Sequence, residues 1–235
     1  MSLTTILFDL DGTLLPMDQD VFVKAYFKRL AMKLAPLGYE PKKLTECIWT
    51  GTGAMIQNDG RCTNEEAFWA LFEKMYSAEQ LKDKPVFDAF YANEFQQVAD
   101  DCGFNPKAVE TIKVLKSMGF HLALATNPIF PAVATESRIR WAGLEPEDFC
   151  HITTYENSRF CKPNLNYYRD ILSELKVSGE ECLMVGNDAG EDMVAAELGM
   201  KVFLLTDDLI NRKNLDLSLY PQGSFDELMA YVKTL

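Results

Sequence analysis

The chain has 235 residues, enough for one large domain or a core with a smaller insert, and too many for a disulfide-stapled miniature scaffold. Its 48% hydrophobic and 25% charged residues describe a soluble globular protein rather than a disordered or fibrous one. The 35 acidic against 23 basic residues leave a net charge of −12, the wrong sign for nucleic-acid polymers or anionic membranes. The same field opposes an anionic substrate, so a local cation or metal must reverse it at any site for one.

The six cysteines, Cys47, Cys62, Cys102, Cys150, Cys161 and Cys182, form no Cys-x-x-Cys pair, and His121 and His151 add few ligands for a structural zinc. They read as reduced thiols of a cytoplasmic protein. Residues Met1–Thr5 lack the basic and apolar regions of an export signal, and no run sustains the ~18 apolar residues of a membrane span.

In chain order, the first informative segment is Ile6-Leu7-Phe8-Asp9-Leu10-Asp11-Gly12-Thr13, a short apolar strand that ends in two carboxylates and a glycine. Strand alternation puts Asp9 and Asp11 on one side. Two acids so placed suit a nucleophile or metal ligand and a proton donor. Taken alone, Asp-x-Asp-Gly reads more readily as a polar turn.

From 17 to 90 the strand pattern disappears. Phe22, Ala25/Tyr26, Arg29/Leu30 and Lys33/Leu34 recur at helical intervals, and Thr63 and Glu66 have capping-box spacing before Phe68, Leu71, Phe72 and Met75. This is a helical insert or an α-rich part of one domain. Within it, Trp49-Thr50-Gly51-Thr52-Gly53-Ala54-Met55 reads as a flexible loop, either one lowered over a site or an ordinary connection between helices. Arg61 is a candidate for reaching a second anionic group.

Asn105-Pro106 opens a helix that closes at Gly119. Leu122-Ala123-Leu124-Ala125 is then a buried strand, whose end offers the Thr126 hydroxyl and neighbouring amides to a phosphate oxygen, followed by Asn127. Lys162, in Cys161-Lys162-Pro163-Asn164, lies just before a helix start as a mobile point charge for an anion, or as a solvated lysine. A third strand, Cys182-Leu183-Met184-Val185, runs into Gly186-Asn187-Asp188-Ala189-Gly190-Glu191-Asp192-Met193 and a helix carrying Val194, Ala195 and Leu198. Carboxylates this crowded repel unless protonated or bridged by a cation such as Mg2+. The alternative is acids complementing a helix dipole, which covers Glu191 and Asp192 better than Asp188. Lys201–Leu205 makes a fourth strand. Strands separated by helices imply right-handed parallel crossovers and an α/β sheet with ligands at the strands' carboxyl ends.

Together, in this order, the four segments closely resemble the motif set of the haloacid dehalogenase superfamily, over residues 6 to about 205. The resemblance implies a doubly wound, Rossmann-like parallel-sheet core over 1–16 and 91–235, with a helical C1-type cap over 17–90 inserted after the first strand. It implies Asp9 as nucleophile, Asp11 as general acid and base, Thr126 and Asn127 as phosphate-binding residues, and Lys162 holding the nucleophile and phosphoryl group. Mg2+ would be ligated by Asp9, the Asp11 backbone carbonyl and Asp188, with Asp192 supporting the metal through water. This chain has Gly-Asn-Asp where the commoner form has Gly-Asp. Aligning on the Asp188–Asp192 interval makes Asp188 the ligand and Asn187 a spacer; the alternative seats Asn187 at the metal.

The implied activity is Mg2+-dependent hydrolysis of a small soluble phosphomonoester through an aspartyl-phosphate. Dehalogenases generally replace the second acid, so Asp11 points to phosphoryl transfer. A sugar phosphomutase uses the same acid pair. A phospho-aspartate signalling module gathers similar groups but has no need of the Asp9-Leu10-Asp11 pair or a large helical insert. The partner is a small phosphorylated metabolite, with neither nucleic acid polymer nor membrane; the sequence sets no oligomeric state.

Overall fold

All four residues of Thr5–Phe8 (β1) are buried, which places this strand at the centre of a sheet covered on both sides. A computed structural model describes residues 2–235. β1 pairs in parallel with His121–Leu124 (β2) on one side and with Cys182–Gly186 (β4) on the other. His151–Ile152 (β3), Lys201–Leu205 (β5) and Gln222–Gly223 (β6) complete a six-stranded parallel sheet of order β3-β2-β1-β4-β5-β6. The chain works outward from β1 to one edge and then returns to β4, so the β1/β4 junction is the topological switch point, where open α/β sheets bind ligands.

Strand alternation divides the core. Ile6, Phe8, Leu122, Leu124, Leu183 and Val185 face one apolar cluster; Leu7, Ala123, Ala125, Cys182 and Met184 face another. The first is covered by Pro106–Ser117 (α5), through Ala108, Ile112 and Leu115, and by Phe225–Val232 (α8). The second is covered by Leu165–Leu175 (α7), through Tyr167, Tyr168 and Ile171. Asn105 caps α5 through the Lys107 N–H, as its Asn-Pro start requires.

Between β1 and α5 the described chain is helical, from Gln19 to a 3-10 segment at Glu94–Asp101. Gln19–Leu34 (α1) buries Phe22, Ala25, Tyr26, Leu30 and Leu34, the face its spacing predicts. Asn64–Met75 (α3) starts with the full Thr63/Glu66 capping box. With Pro41–Ile56 (α2) and Lys84–Ala92 (α4), these helices close around a core rich in aromatic rings, Phe72, Phe87, Phe90 and Phe95 among them. No helix among the described residues is long and apolar enough to cross a membrane.

The structure corrects two expectations and adds two short strands. Residues 49–55 are not a loop: they belong to α2, where Thr50 and Thr52 donate back to the carbonyls of Glu46 and Ile48. Gly51 serves packing, because a Cβ there would stand 2.5 Å from the Phe68 ring of α3. The segment after Asp192 is a six-residue 3-10 turn, Met193–Leu198, that Gly199 ends at φ +81°. β3 and β6, two residues each, were too short to leave a periodic signal.

Gly51→Val would drive α2 and α3 apart or displace a buried ring, an overpacking cost of about 1–3 kcal/mol. A lower denaturant midpoint is expected in chemical unfolding; an unchanged midpoint contradicts this packing role.

Candidate active site

Asp9 follows β1 directly, its N–H bonded to the Val185 carbonyl of β4 at 2.9 Å, so the switch point fixes its backbone. Both carboxylate oxygens are engaged. Oδ1 accepts from Lys162 Nζ at 2.8 Å, and Oδ2 lies 3.2 Å from the Thr13 hydroxyl, whose one proton is shared with Asn187 Oδ1 at 3.0 Å. Gly12 makes this crowding possible. Its φ is +80°, and a Cβ there would stand 2.3 Å from Asn187 Nδ2.

Lys162 is not the mobile or solvated charge that its position suggests. It is buried, and its ammonium bridges Asp9 and Asp192 Oδ1, the latter at 2.7 Å. Burial disfavours the charge, but Asp192 and Asp9 together outweigh it and hold the Lys162 pKa well above the ordinary lysine value. Asp192 is buried as well: desolvation pushes its carboxyl up, Lys162 pulls it back, and its Oδ2 accepts the Asp188 N–H at 2.9 Å. One cation thus ties the ends of β1 and β4 to the loop before α7.

Asp11 faces the same cleft and has a partner that sequence reasoning did not supply. Arg138, on Ala132–Trp141 (α6), is buried and donates through Nη1 to Asp11 Oδ2. Its Nε and Nη2 reach the Ala134 carbonyl and the Thr135 hydroxyl, both at 3.3 Å, and its guanidinium lies 4.5 Å from the centre of the Phe130 ring. Asp11 Oδ1 is buried without a partner. Burial raises the Asp11 carboxyl above the usual carboxylate value; Arg138 opposes the rise and Asp9 adds to it. The signal in the sequence was a charged residue one turn beyond Ala134, on a helix face that turns inward.

The remaining candidates converge here. Thr126, Asn127, Asp188, Glu191 and Asp192 line one cleft of about 360 Å³ with Asp9 and Asp11. The Thr126 carbonyl accepts from Thr153 at 2.7 Å and Tyr167 at 2.8 Å, which fixes the turn. Asn127 donates to Glu191 Oε2 at 3.1 Å, and burial lifts the Glu191 carboxyl while Lys162 opposes. Asn187 is committed on both sides: Oδ1 to Thr13 and Nδ2 to the Asp208 carbonyl at 2.7 Å. Asp188 Oδ1 receives the Gly190 and Glu191 N–H groups at 2.7 and 3.1 Å. Arg61 is outside the cleft, exposed and paired with Asp59.

Among the described residues no three acidic, histidine or cysteine side chains converge on one point. The Asp9 and Asp188 carboxylates are hard oxygen donors in an acid-rich cleft, so they and the Asp11 carbonyl fit a magnesium ion chemically. The arrangement therefore offers an anchored carboxylate, a second carboxyl with one free oxygen, hydroxyl and amide donors at the end of β2, and a buried cation.

Comparison with known proteins identifies the family. The profile of haloacid dehalogenase-like hydrolases matches residues 3–208. A phosphoglycolate phosphatase of Vibrio parahaemolyticus is 26% identical over 204 residues, 86% of this chain and 82% of that one. A glyceraldehyde 3-phosphate phosphatase of Methanocaldococcus jannaschii is 28% identical over 132 residues, 55% of this chain and 57% of its own. The crystal structure of a HAD phosphatase from Thermococcus onnurineus superposes with a TM-score of 0.62 at 18% identity, covering 98% of both chains, a likeness of fold. With the sheet order, the strand-end carboxylates and a match over most of its length, the chain belongs to the haloacid dehalogenase-like hydrolases.

Proposed function

We propose that this hydrolase is a Mg2+-dependent phosphatase of small soluble phosphomonoesters that works through an aspartyl-phosphate on Asp9, with the helical insert over 17–90 as its cap. The observation that carries the reading is the pair of unlike carboxyls. Asp9 is anchored through both oxygens by Lys162 and Thr13, whereas Asp11 has a raised pKa and a free oxygen in the same cleft. Two acids in environments this different divide nucleophile from proton donor. The phosphatases among its relatives support the same class.

In the first step the Asp9 carboxylate attacks phosphorus, a new P–O bond forms to Asp9, and the P–O bond to the leaving group breaks as Asp11 gives its proton to the leaving oxygen. In the second, Asp11 takes a proton from water as the water attacks phosphorus and frees Asp9. The Thr126 hydroxyl and the Asn127 amide hold phosphoryl oxygens, and the Lys162 ammonium stabilises negative charge on the Asp9 side. Asp9, Asp188 and the Asp11 carbonyl would hold a magnesium ion, which would supply charge neutralisation at the transferring group. Asn187 positions Thr13 in this reading, its Oδ1 accepting from the Thr13 hydroxyl and its Nδ2 donating to the Asp208 carbonyl. Arg138 positions Asp11. Six unpaired cysteines suit a reducing cytoplasm.

Phosphate release from a panel of small phosphomonoesters, with Mg2+ and after chelation, tests the reading. Asp9→Asn should abolish release, and Asp11→Asn should slow it by roughly 10²–10⁴-fold, the usual worth of general acid-base assistance; turnover retained by Asp9→Asn would sink the mechanism. Arg138→Met should cost roughly 10² in kcat through misplacement of Asp11. It should also shift the pH profile in a defined direction. Arg138 holds the Asp11 pKa down, so its loss raises that pKa, keeps Asp11 protonated to higher pH, and moves the basic limb of kcat/KM upward. A basic limb that stays in place contradicts the pairing.

A further inference from the structure

Adjoining the catalytic cleft is a second cavity, of about 100 Å³ and mainly apolar. It opens among α1, α2, α3 and α4, with Ile48, Met55, Phe68 and Phe87 in its walls, and Asp88 is the one charged residue among its described lining. Phe22, Val23, Trp49, Thr52, Ile129 and Phe130 line both the cavity and the cleft. Its volume is of the order of the ~150 Å³ apolar cavity that accepts a benzene molecule.

Two further observations give the cavity a role. The leaving oxygen must lie beside Asp11, which protonates it, and Asp11 is bonded to the Arg138 guanidinium stacked on Phe130, a wall of the cavity. The leaving group therefore departs towards the aromatic walls. A second negative charge on the substrate, moreover, finds little to meet it. Asp20, Asp188 and Glu191 line the cleft and outnumber Arg212, its one cationic residue among the described lining, which gives one N–H to Gln19 Oε1 at 2.7 Å.

We propose that the cavity is the leaving-group pocket of this enzyme and selects phosphomonoesters whose alcohol carries a compact apolar group, an aryl ring or branched alkyl chain, over those carrying a second anion. This rests on the phosphatase reading above. Ile48, Met55 and Phe68 then set specificity by shape and make no contact with the phosphoryl group.

Affinities of benzylphosphonate and methylphosphonate, measured by calorimetry in Mg2+ buffer, test the pocket without needing turnover. Burial of a phenyl group should make benzylphosphonate bind roughly ten- to a hundredfold more tightly. Ile48→Phe, which fills the cavity, should bring the ratio towards one. Benzylphosphonate binding no tighter than methylphosphonate to the unaltered protein overturns the proposal, whether or not the variant folds. Phosphate release from benzyl phosphate and 2-phosphoglycolate, both esters of primary alcohols, is read in parallel. Release from 2-phosphoglycolate with no affinity gain for the benzyl group defeats the pocket alone. An affinity gain without release from any ester supports the pocket and defeats the phosphatase reading.

Discussion

A single buried ammonium organises this molecule. Lys162 joins Asp9, at the end of the central strand, to Asp192, beyond the neighbouring strand, and all three lie out of water. Removing three charges from solvent is costly, and the arrangement holds because each finds an opposite charge at hydrogen-bond distance. Asp192 adds the Asp188 N–H and Asp9 adds Thr13, so no oxygen of either carboxylate is left bare. The sheet order makes the set possible: it places β1 and β4 side by side with the chain leaving in opposite directions, and the gap between them is where the acids gather.

The second buried cation works differently. Arg138 satisfies one oxygen of Asp11 and leaves the other without a partner, in a place where burial raises the carboxyl's pKa. The proton donor proposed above needs this intermediate state, neither fully paired nor fully solvated. The two cations also answer the problem posed by a net charge of −12: positive charge is confined to the floor and one wall of the cleft, where it acts at short range in a low dielectric. Towards the helices of residues 19–101 the lining turns aromatic, with Phe22, Trp49 and Phe130 shared between the cleft and the adjoining cavity.

Much of the architecture was legible because it rests on local patterns. The four longer strands, the Asn105-capped helix and the Thr63/Glu66 capping box each carry their own signal within a few residues. Asp9, Asp11, Thr126 and Asp188 were legible as strand-end polar groups. What stayed hidden depends on contacts distant in sequence. The motif resemblance implied that Lys162 holds Asp9, 153 residues away, but its local sequence alone reads equally as a solvated side chain, and its burial shows only in the fold. Arg138 carries no motif, and only the fold brings Asp11 within reach. Gly51 and Gly53 imitate a loop because glycine is read as a turn former, whereas the Gly51 site is a close crossing of two helices. Asn187 is held locally by two hydrogen bonds, to Thr13 and the Asp208 carbonyl, that no spacing rule foretells.

The central claim is that Asp9 carries the phosphoryl group. The direct measurement is to quench the enzyme during turnover of a phosphomonoester, reduce acyl phosphates with borohydride, and map the product by peptide mass spectrometry. The account predicts reduction of the side chain at residue 9 to the alcohol, dependent on substrate. An intact Asp9 with the modification at another carboxylate, or phosphate release with no trappable acyl phosphate at all, would contradict it.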